Sequence, residues 1–237
     1  MNFVENDLKL KILRKYWGFK EFRESQEEII ENVLQKKDVL ALLPTGGGKS
    51  LCYQLPAIIL KGTCLVISPL IALMEDQVNQ LQKKGVEATY LNSSHSFRDI
   101  DRILDNVIYG SIKILYISPE RIKSKLFEER FKKMKISFVA IDEAHCISEW
   151  GNDFRPDFRT ISILKQWQPN LSFIALTASA TKNVIIDIQD QLLFKNKNVI
   201  RKSYLRKNIS YKIIDAINKE TVLLKICLLY TSDAADD

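Results

Sequence analysis

Pro44-Thr45-Gly46-Gly47-Gly48-Lys49-Ser50 follows a short apolar run at 38–43 and precedes an amphipathic segment at 50–60. Glycines let the backbone approach a ligand closely, and successive inward N–H groups make a concavity that binds anions. A helix that begins directly afterwards adds the partial positive charge of its N-terminus. The order of strand, glycine-rich turn and helix therefore predicts an α/β fold with a phosphate-binding loop.

Within this loop each polar side chain has an expected role. Lys49 is suited to contact the β- and γ-phosphates of a nucleoside triphosphate, and the Ser50 hydroxyl to ligate Mg²⁺. The general pattern for such loops has Gly where Leu43 stands, so the match is to its second half. The alternative is a glycine-rich turn with only a structural role.

Short apolar runs alternate with amphipathic segments over most of the chain. The runs predict strands at 38–43, 63–68, 88–91, 112–118, 137–142 and 172–177. The segments between them predict helices at 50–60, 70–84, 97–108, 121–133, 158–166 and 181–193, and two more, at 7–17 and 24–35, precede the first strand. This alternation predicts a parallel sheet with helices on both faces. After 196 the pattern weakens, leaving a possible strand at 210–214 and a possible helix at 220–229.

Composition places few limits on function. The 237 residues are 46% hydrophobic and 27% charged, which is ordinary for a soluble globular protein. The net charge of +6 is compatible with a partner rich in phosphate. Lysines scattered through amphipathic helices would give the same value.

The four cysteines, Cys52, Cys64, Cys146 and Cys227, form no Cys-x-x-Cys pair. Their spacing predicts neither a disulfide framework nor zinc in this part of the protein, and it fits a reducing compartment. No apolar run is long enough to span a bilayer. We therefore expect a cytoplasmic location and no membrane partner.

A second chemical motif follows the apolar run 137–141, where the chain continues as Asp142-Glu143-Ala144-His145. Open α/β sheets bind ligands at the carboxyl ends of their strands, so these carboxylates are expected beside the phosphate loop. Asp142 is suited to hold Mg²⁺ through water, and Glu143 to orient and deprotonate an attacking water. His145 is expected to couple sites rather than act as a base. A charged surface loop is the alternative.

Two stretches together, 43–54 and 142–155, closely resemble the RecQ family of superfamily 2 DNA helicases, and the resemblance extends over about 17–209. It implies an ATP- and Mg²⁺-dependent motor that unwinds DNA with 3′-to-5′ polarity by means of two RecA-like domains. This chain resembles the first of them, a RecA-like P-loop NTPase domain with Lys49, Asp142 and Glu143 as its catalytic residues. The implied partners are single-stranded and partially duplex DNA and a second RecA-like domain.

The resemblance also assigns an adenine-recognising segment at 17–26. Gln26 has an amide that both donates and accepts hydrogen bonds, Phe19 could stack on the base, and Arg23 could contact a phosphate. The family usually has Pro-Gly where Glu24-Ser25 stand. Packing in the core is an equal alternative for Phe19 and for Phe22. The expected ATP site consists of Phe19, Arg23 and Gln26 together with the loop residues Thr45, Gly46, Gly47, Gly48, Lys49 and Ser50.

Two strand ends resemble segments that contact the DNA backbone. They begin at Ser68-Pro69 and at Ser118-Pro119-Glu120-Arg121, where hydroxyl, guanidinium and helix-start N–H groups could meet phosphates. Glu75, Asp76 and Gln77, in the helix after the first of these ends, could equally be a solvated helix start.

The stretch 145–156 resembles the aromatic-rich loop of RecQ proteins, which implies base stacking by Trp150 and Phe154 and coupling of DNA to the ATP site by His145 and Arg155. Exposed aromatic rings stack on unpaired bases. The family usually has Gln and His where Glu149 and Asn152 stand. A buried loop anchor is the alternative for Trp150.

The stretch 176–181 resembles the segment that links hydrolysis to unwinding, with Ser179 where Thr is more usual. We expect the hydroxyls of Thr177 and Ser179 to connect Glu143 with the DNA side. An ordinary helix cap at Thr181 is compatible with this role.

We expect four regions: an N-terminal helical segment with the adenine motif at 1–36, a RecA-like ATP-binding domain at 37–202, the start of a connection at 203–226, and a non-native tail at 227–237, which resembles translated adapter sequence. The chain is then truncated before the second RecA-like domain. It should bind ATP weakly, hydrolyse it slowly and not unwind DNA. Another superfamily 2 motor and a non-catalytic nucleic-acid-binding module are the rival interpretations.

Overall fold

The computed structural model describes residues 3–92, 94–151, 153–202, 209 and 213–232. It divides into two compact units, one ending at 202 and one beginning at 203. The first contains a seven-stranded parallel sheet. Its strands are β1 Val39–Leu42, β2 Thr63–Ile67, β3 Ala88–Leu91, β4 Ile114–Ile117, β5 Ile136–Ile141, β6 Phe173–Thr177 and β7 Val199–Arg201. Their spatial order is β3-β4-β2-β5-β6-β1-β7.

Helices connect the strands of this unit. They are α1 Phe3–Trp17, α2 Gln26–Leu34, α3 Leu51–Ile59, α4 Ile71–Lys83, α5 Phe97–Tyr109, α6 Lys125–Phe131, α7 Ile163–Trp167 and α8 Lys182–Gln191. Three 3-10 segments, Pro119–Lys123, Ala144–Ile147 and Pro156–Ser162, complete the connections. The predicted α/β fold with a parallel sheet is confirmed.

The strands are apolar on both sides because both faces of the sheet are covered. In β2, Leu65 and Ile67 pack into the core beneath α5 to α8, while Cys64 and Val66 pack into the core beneath α2 to α4. A strand buried on both faces reads as a continuous apolar run, which is why each central strand was recognisable in the sequence. A third cluster, centred on Leu13, joins α1 to α2 and α3.

The differences from the predicted elements have local causes. The helices expected at 121–133 and 158–166 each divide into a 3-10 segment and a short α-helix. In each case a proline begins the 3-10 segment, and after the first of them Ser124 adopts an extended conformation, with φ −74° and ψ 124°. Strand β7 was not predicted, because its three residues lie at the sheet edge and only Ile200 is buried.

The second unit contains α9 Lys219–Ser232, which corresponds to the helix expected at 220–229. Of the strand expected at 210–214, residues 210–212 lie outside the described part, and 213 and 214 are not in a strand. None of the helices in the described ranges combines the length and apolarity that crossing a bilayer requires.

Candidate active site

The carboxyl ends of β5, β6 and β1 lie side by side and bring two distant motifs together. Strand β6 lies between the other two, so Thr177 at its end separates the Asp142 turn from the glycine-rich loop. The N–H of Leu43 donates to the carbonyl of Thr177 at 3.1 Å. Sequence positions 44–50 and 142–145 therefore meet at one edge of the sheet, as expected for a ligand site in a parallel sheet.

The glycine-rich loop has a conformation that few side chains would permit. Gly46 and Gly48 have φ values of +74° and +78°. A Cβ on Gly47 would lie 2.8 Å from the carbonyl oxygen of Pro44, and a Cβ on Gly48 would collide with the amide of Gln26. Ser50 caps the N-terminus of α3, so the loop and the positive end of that helix face the same space.

Two residues of the segment 17–26, which ends at the first residue of α2, hold this loop. The Gln26 amide nitrogen lies 3.3 Å and 3.2 Å from the carbonyl oxygens of Gly47 and Gly48, and the Gln26 amide oxygen accepts from the Arg23 N–H at 2.8 Å. Arg23 donates from its guanidinium to the Gly46 carbonyl at 2.6 Å. Both side chains thus clamp the loop itself in this structure, a use that the sequence did not suggest.

The aromatic residues of the same segment differ in exposure. Phe19 is 49% exposed and lines the cavity above the loop. Phe22 also lines this cavity, and it packs against the α1–α2–α3 cluster. Ser25 adopts the left-handed conformation, with φ 67°, which is the backbone geometry that glycine favours.

The acidic residues after β5 lie next to Lys49. The Lys49 Nζ is 3.8 Å from Glu143 Oε1. Burial, followed by the charge of Glu143, raises the pKa of Asp142 to about 6. The hydrogen bond with His145, and then the charge of Lys49, hold the pKa of Glu143 below its ordinary value. The two neighbouring carboxyls are therefore separated in proton affinity, a common arrangement in catalytic sites.

His145 connects this acidic pair to β6. Its Nδ1 lies 3.3 Å from Glu143 Oε2 and 3.0 Å from Thr177 Oγ1. Thr177 donates its hydroxyl to the Ser179 carbonyl at 3.1 Å, so we assign a proton to His145 Nδ1, which Thr177 Oγ1 then accepts. Ser179 joins this chain through its backbone rather than through its hydroxyl, which corrects the expected relay of two hydroxyls.

A cavity of about 1010 Å³ opens over these residues. Its lining includes the following residues from three sequence regions: Phe19, Arg23, Gln26, Thr45, Gly46, Gly48, Lys49, Ser50, Asp142 and Glu143. The lining suits a triphosphate with Mg²⁺, because the glycine-rich loop, the start of α3 and Lys49 would meet the phosphates, while a hydroxyl and carboxylates would supply hard oxygen ligands. The residues present therefore fit ATP and Mg²⁺.

The strand ends expected to contact DNA also lie at the carboxyl ends of the strands, after β2 and β4, on the opposite side of β5 from β6 and β1. Ser68 is only 2% exposed and its hydroxyl has no hydrogen-bond partner within the described residues. Its side chain is therefore not presented to a ligand, contrary to expectation, whereas Pro69 and Ser118 are partly exposed. Arg121 donates to the Asn92 carbonyl at 2.8 Å and ties the end of β4 to that of β3.

The aromatic-rich loop presents one ring to solvent. Trp150 is 72% exposed, which removes the buried-anchor alternative for this residue. Phe154 is partly buried, with the Arg159 guanidinium 5.3 Å from its ring centre. Arg159 also pairs with Glu149 at 3.0 Å, so the unusual negative charge in the loop is neutralised locally. Asn152 lies outside the described residues.

Arg155 connects this loop to the segment that follows β2. It donates to the Pro69 carbonyl at 3.2 Å and to the Asp153 carboxylate at 3.3 Å. Donor atoms of Asp153, His145 and Cys146 lie within 4.8 Å of one another, but Asp153 is already paired with Arg155 and His145 with Thr177. The expectation of no zinc stays a prediction.

Sequence reasoning missed a polar cluster beneath the site. The hydroxyls of Tyr53 and Tyr116 lie 3.2 Å apart, and the Gln54 amide donates to Tyr116 at 3.3 Å and to Gln77 at 2.8 Å. Tyr53 and Gln54 lie three and four residues after the last residue of the phosphate loop, and this position was the available signal. Tyr116 gave none, because a tyrosine in an apolar strand is ordinary.

Comparisons with known proteins agree with this geometry. The DEAD/DEAH box helicase family model matches residues 23–187. The ATP-dependent DNA helicase RecQ of Pasteurella multocida is 42% identical over 231 residues, which cover 96% of this chain and 37% of that protein. The ATP-dependent DNA helicase Q1 of Rattus norvegicus is 43% identical over 209 residues, which cover 85% and 34%. The chain thus spans about a third of the length of these relatives.

Solved structures agree on the fold. The DEAD-box helicase Mss116 bound to ssRNA and UDP-BeF superposes with a TM-score of 0.67 at 20% identity, over 86% of this chain and 45% of that one. The Pyrococcus furiosus Hef helicase domain gives 0.62 at 22% identity, over 79% and 39%. These superpositions support a RecA-like fold for this chain.

Proposed function

The chain belongs to the DEAD/DEAH box helicase family and is RecQ-like within it, and from that premise we propose that it is the nucleotide-binding part of an ATP-dependent DNA helicase. The observation that carries the proposal is the meeting of Lys49, Asp142 and Glu143 below a glycine-rich loop, at the carboxyl edge of a parallel sheet. Such a constellation fits phosphoryl transfer, in which positioning and charge stabilisation do most of the catalytic work.

The residues of the site divide the chemistry between them. Backbone N–H groups of the loop and Lys49 hold the phosphates, while Ser50 and Asp142 are the residues that would hold Mg²⁺. Bound Mg²⁺ neutralises charge on the phosphates and on the departing group. Glu143 orients the attacking water and accepts its proton. Its lowered pKa keeps it ionised at neutral pH, as a general base must be.

The ion pair between Lys49 and Glu143 joins the proposed phosphate ligand to the proposed general base. Lys49 has to leave the carboxylate in order to meet a phosphate, which at the same time frees Glu143 for water. His145 contacts Glu143 and is hydrogen-bonded to Thr177, which in turn connects it to the turn at Ser179. Nucleotide arrival and activation of the base are thus coupled by one ion pair.

Nucleic acid is the second proposed ligand. Trp150 offers an exposed ring for stacking on unpaired bases, and the partly exposed ends of β2 and β4 offer backbone and hydroxyl groups to phosphates. These contacts read no base edges, which suits a motor that moves along any sequence. Unwinding with 3′-to-5′ polarity, action on partially duplex DNA and a cytoplasmic location follow from RecQ likeness and are proposed with it.

A second RecA-like domain is proposed as the partner that closes over the cavity and supplies an arginine to the γ-phosphate. The exposed position of Phe19 at the cavity wall supports such an arrangement, because a closing partner would cover it. In this proposal residues 1–36 present the adenine contacts, 37–202 form the ATP-binding domain and 203–226 begin the connection. Residues 227–237 are proposed to be non-native.

Nucleotide titration of purified variants tests the proposal. A fluorescent ATP analogue with Mg²⁺ should bind the parent chain and should bind Lys49→Ala at least tenfold more weakly. Lys61→Ala removes an exposed lysine beyond the end of α3 and should match the parent. Equal affinities for all three proteins would overturn the proposal and favour a binding module without a nucleotide site.

The rival motor class is tested by ligand choice. Oligothymidylate and oligouridylate of equal length should both bind through stacking on Trp150, and Trp150→Ala should weaken both. Stimulation of ATP hydrolysis by DNA but not by RNA supports the DNA helicase, and the reverse pattern supports an RNA helicase.

A further inference from the structure

A buried hydrogen-bond cluster connects the phosphate loop to the two strand ends beyond it. We define the tyrosine–glutamine cluster as Tyr53 and Gln54 of α3, Tyr116 of β4 and Gln77 of α4. Tyr53 and Tyr116 are each 1% exposed and Gln54 is 5% exposed. Gln54 and Gln77 also line the cavity over the phosphate loop, but none of the four residues has a role in the chemistry described above.

The Tyr116 hydroxyl is the branch point of the cluster. It lies 3.2 Å from the Tyr53 hydroxyl and accepts from the Gln54 amide at 3.3 Å. The same Gln54 amide nitrogen donates to Gln77 Oε1 at 2.8 Å. The Tyr116 hydroxyl oxygen and the Gln54 amide nitrogen therefore connect three different elements, α3, β4 and α4.

The surroundings of the cluster make these hydrogen bonds unusual. Tyr53 and Tyr116 belong to the apolar core between the sheet and α2 to α4, and their rings pack edge to face with centroids 6.4 Å apart. Phenylalanine would fill the same space. Buried hydroxyl and amide groups are costly unless paired, so their net contribution to stability is small, whereas they fix geometry strictly.

The elements that the cluster joins carry the two proposed binding regions. Tyr53 and Gln54 lie in the first turn of α3, three and four residues after Ser50. Tyr116 precedes Ser118 by two residues. Gln77 lies in the helix that starts after Ser68-Pro69.

From this geometry we infer that the Tyr116 hydroxyl is a positioning group that transmits movement of the phosphate loop and the start of α3 to the ends of β4 and β2. The inference rests on the proposed function, because it needs a nucleotide at the loop and a nucleic acid at the strand ends. A displacement of the start of α3 moves Tyr53 and Gln54 together. Both are hydrogen-bonded to Tyr116, which lies two residues before the proposed nucleic-acid contact Ser118. The path through His145 and Thr177 runs on the other side of β5 and is separate.

Hydrogen exchange followed by mass spectrometry tests the inference in this chain. The parent with a Mg²⁺–ATP analogue should exchange more slowly than without it, both in the loop peptide 44–51 and in the strand-end peptide 117–124. Tyr116→Phe should keep the difference at 44–51 and lose at least half of the difference at 117–124. Tyr109→Phe removes a hydroxyl from an exposed ring and should behave as the parent does.

A second variant keeps the inference testable if Tyr116→Phe is poorly folded. Gln77 is the partly exposed member of the cluster, and Gln77→Leu removes its hydrogen bond with Gln54. This variant should also reduce the nucleotide-dependent difference in exchange at 117–124. An undiminished strand-end response in both variants, or a parent that responds only at 44–51, would overturn the inference and leave the proposed function intact. A parent without any response at 44–51 would overturn the proposed function, and this inference with it.

Discussion

The Lys49 ammonium lies 3.8 Å from the Glu143 carboxylate, so the proposed phosphate ligand and the proposed general base neutralise each other in the structure. Their side chains are 16% and 27% exposed, which limits screening of the pair by solvent. Neither residue can perform its proposed role until the pair separates. Substitutions on the two sides should therefore have opposite effects on nucleotide binding.

Glu143→Gln should bind a Mg²⁺–ATP analogue at least as tightly as the parent, because Lys49 no longer has a competing carboxylate. Single-turnover hydrolysis should fall by roughly 10²–10⁴-fold with loss of the general base. Fluorescence titration and phosphate release measure the two quantities. Glu129→Gln alters an exposed carboxylate on α6 and should change neither. Weakened binding in Glu143→Gln would contradict the proposed competition.

Asp142→Asn should make the chain more stable without Mg²⁺ while it weakens Mg²⁺-dependent nucleotide binding. Burial raises the pKa of Asp142 to about 6 from an ordinary value of 3.8, so ionisation opposes folding. The gain should be on the order of 2 kcal/mol, or roughly 4–8 °C in Tm. Thermal unfolding should show it in full above pH 6, since there the parent carries the buried charge.

The pH dependence supplies the control for Asp142→Asn. As pH falls from 6 towards 4, the folded parent takes up the proton before the unfolded chain does, and the parent regains stability. The difference in Tm between variant and parent should therefore shrink over that interval. A constant difference from pH 4 to 8 would show that desolvation of this carboxyl is not its cause.

Ser25→Gly should stabilise the chain by about 0.5–1 kcal/mol, because Ser25 has φ 67° and glycine adopts this conformation without strain. Urea unfolding measures the change. Ser124→Gly is the matched control, since Ser124 has an ordinary φ of −74° and glycine there should give no gain. Equal effects at both positions would refute the assigned strain.

Trp150→Ala should weaken binding to oligothymidylate by about 1–3 kcal/mol, the usual contribution of a base stacked on an aromatic ring. Affinity for the ATP analogue should not change. Tyr109→Ala removes another exposed aromatic residue, on α5, and should leave DNA binding unaffected. Fluorescence anisotropy at fixed salt provides the measurement, and equal losses in both variants would indicate non-specific binding.

Asp38→Ala should destabilise the chain by about 3–5 kcal/mol, because it leaves a buried cation without its partner. Asp38 accepts from the Lys165 ammonium at 2.9 Å and from the Phe173 N–H at 2.8 Å, and both side chains of the ion pair are at most 10% exposed. Asp190→Ala breaks an exposed ion pair with Lys197 and should cost less than about 1 kcal/mol. Similar losses in urea unfolding would contradict the role of burial.

Much of the fold was predictable because its signals are local. Apolar runs such as 63–67 mark strands covered on both faces, and the glycine-rich loop marks a strand-to-helix turn through backbone geometry alone. Edge strand β7 and the 3-10 segments were not predictable in the same way. Strand β7 has only one buried residue, and the helical patterns at 121–133 and 158–166 did not show that a proline just before each would begin a 3-10 segment.

The sequence by itself determined the chemistry available to this protein: a phosphate loop with Lys49, an acidic turn with Asp142 and Glu143, and an aromatic-rich loop with Trp150. The sequence also predicted that the acidic turn lies beside the phosphate loop, whereas tertiary structure decided which side chains make contact there. The strand order β5-β6-β1 brings Glu143 to Lys49, and it sets Thr177 between the two motifs. Tertiary packing also buries Ser68 and places the Gln26 amide against the carbonyl groups of the phosphate loop. The physical reason is that residue type and spacing fix local backbone geometry, whereas the packing of helices on both faces fixes the neighbours of each strand.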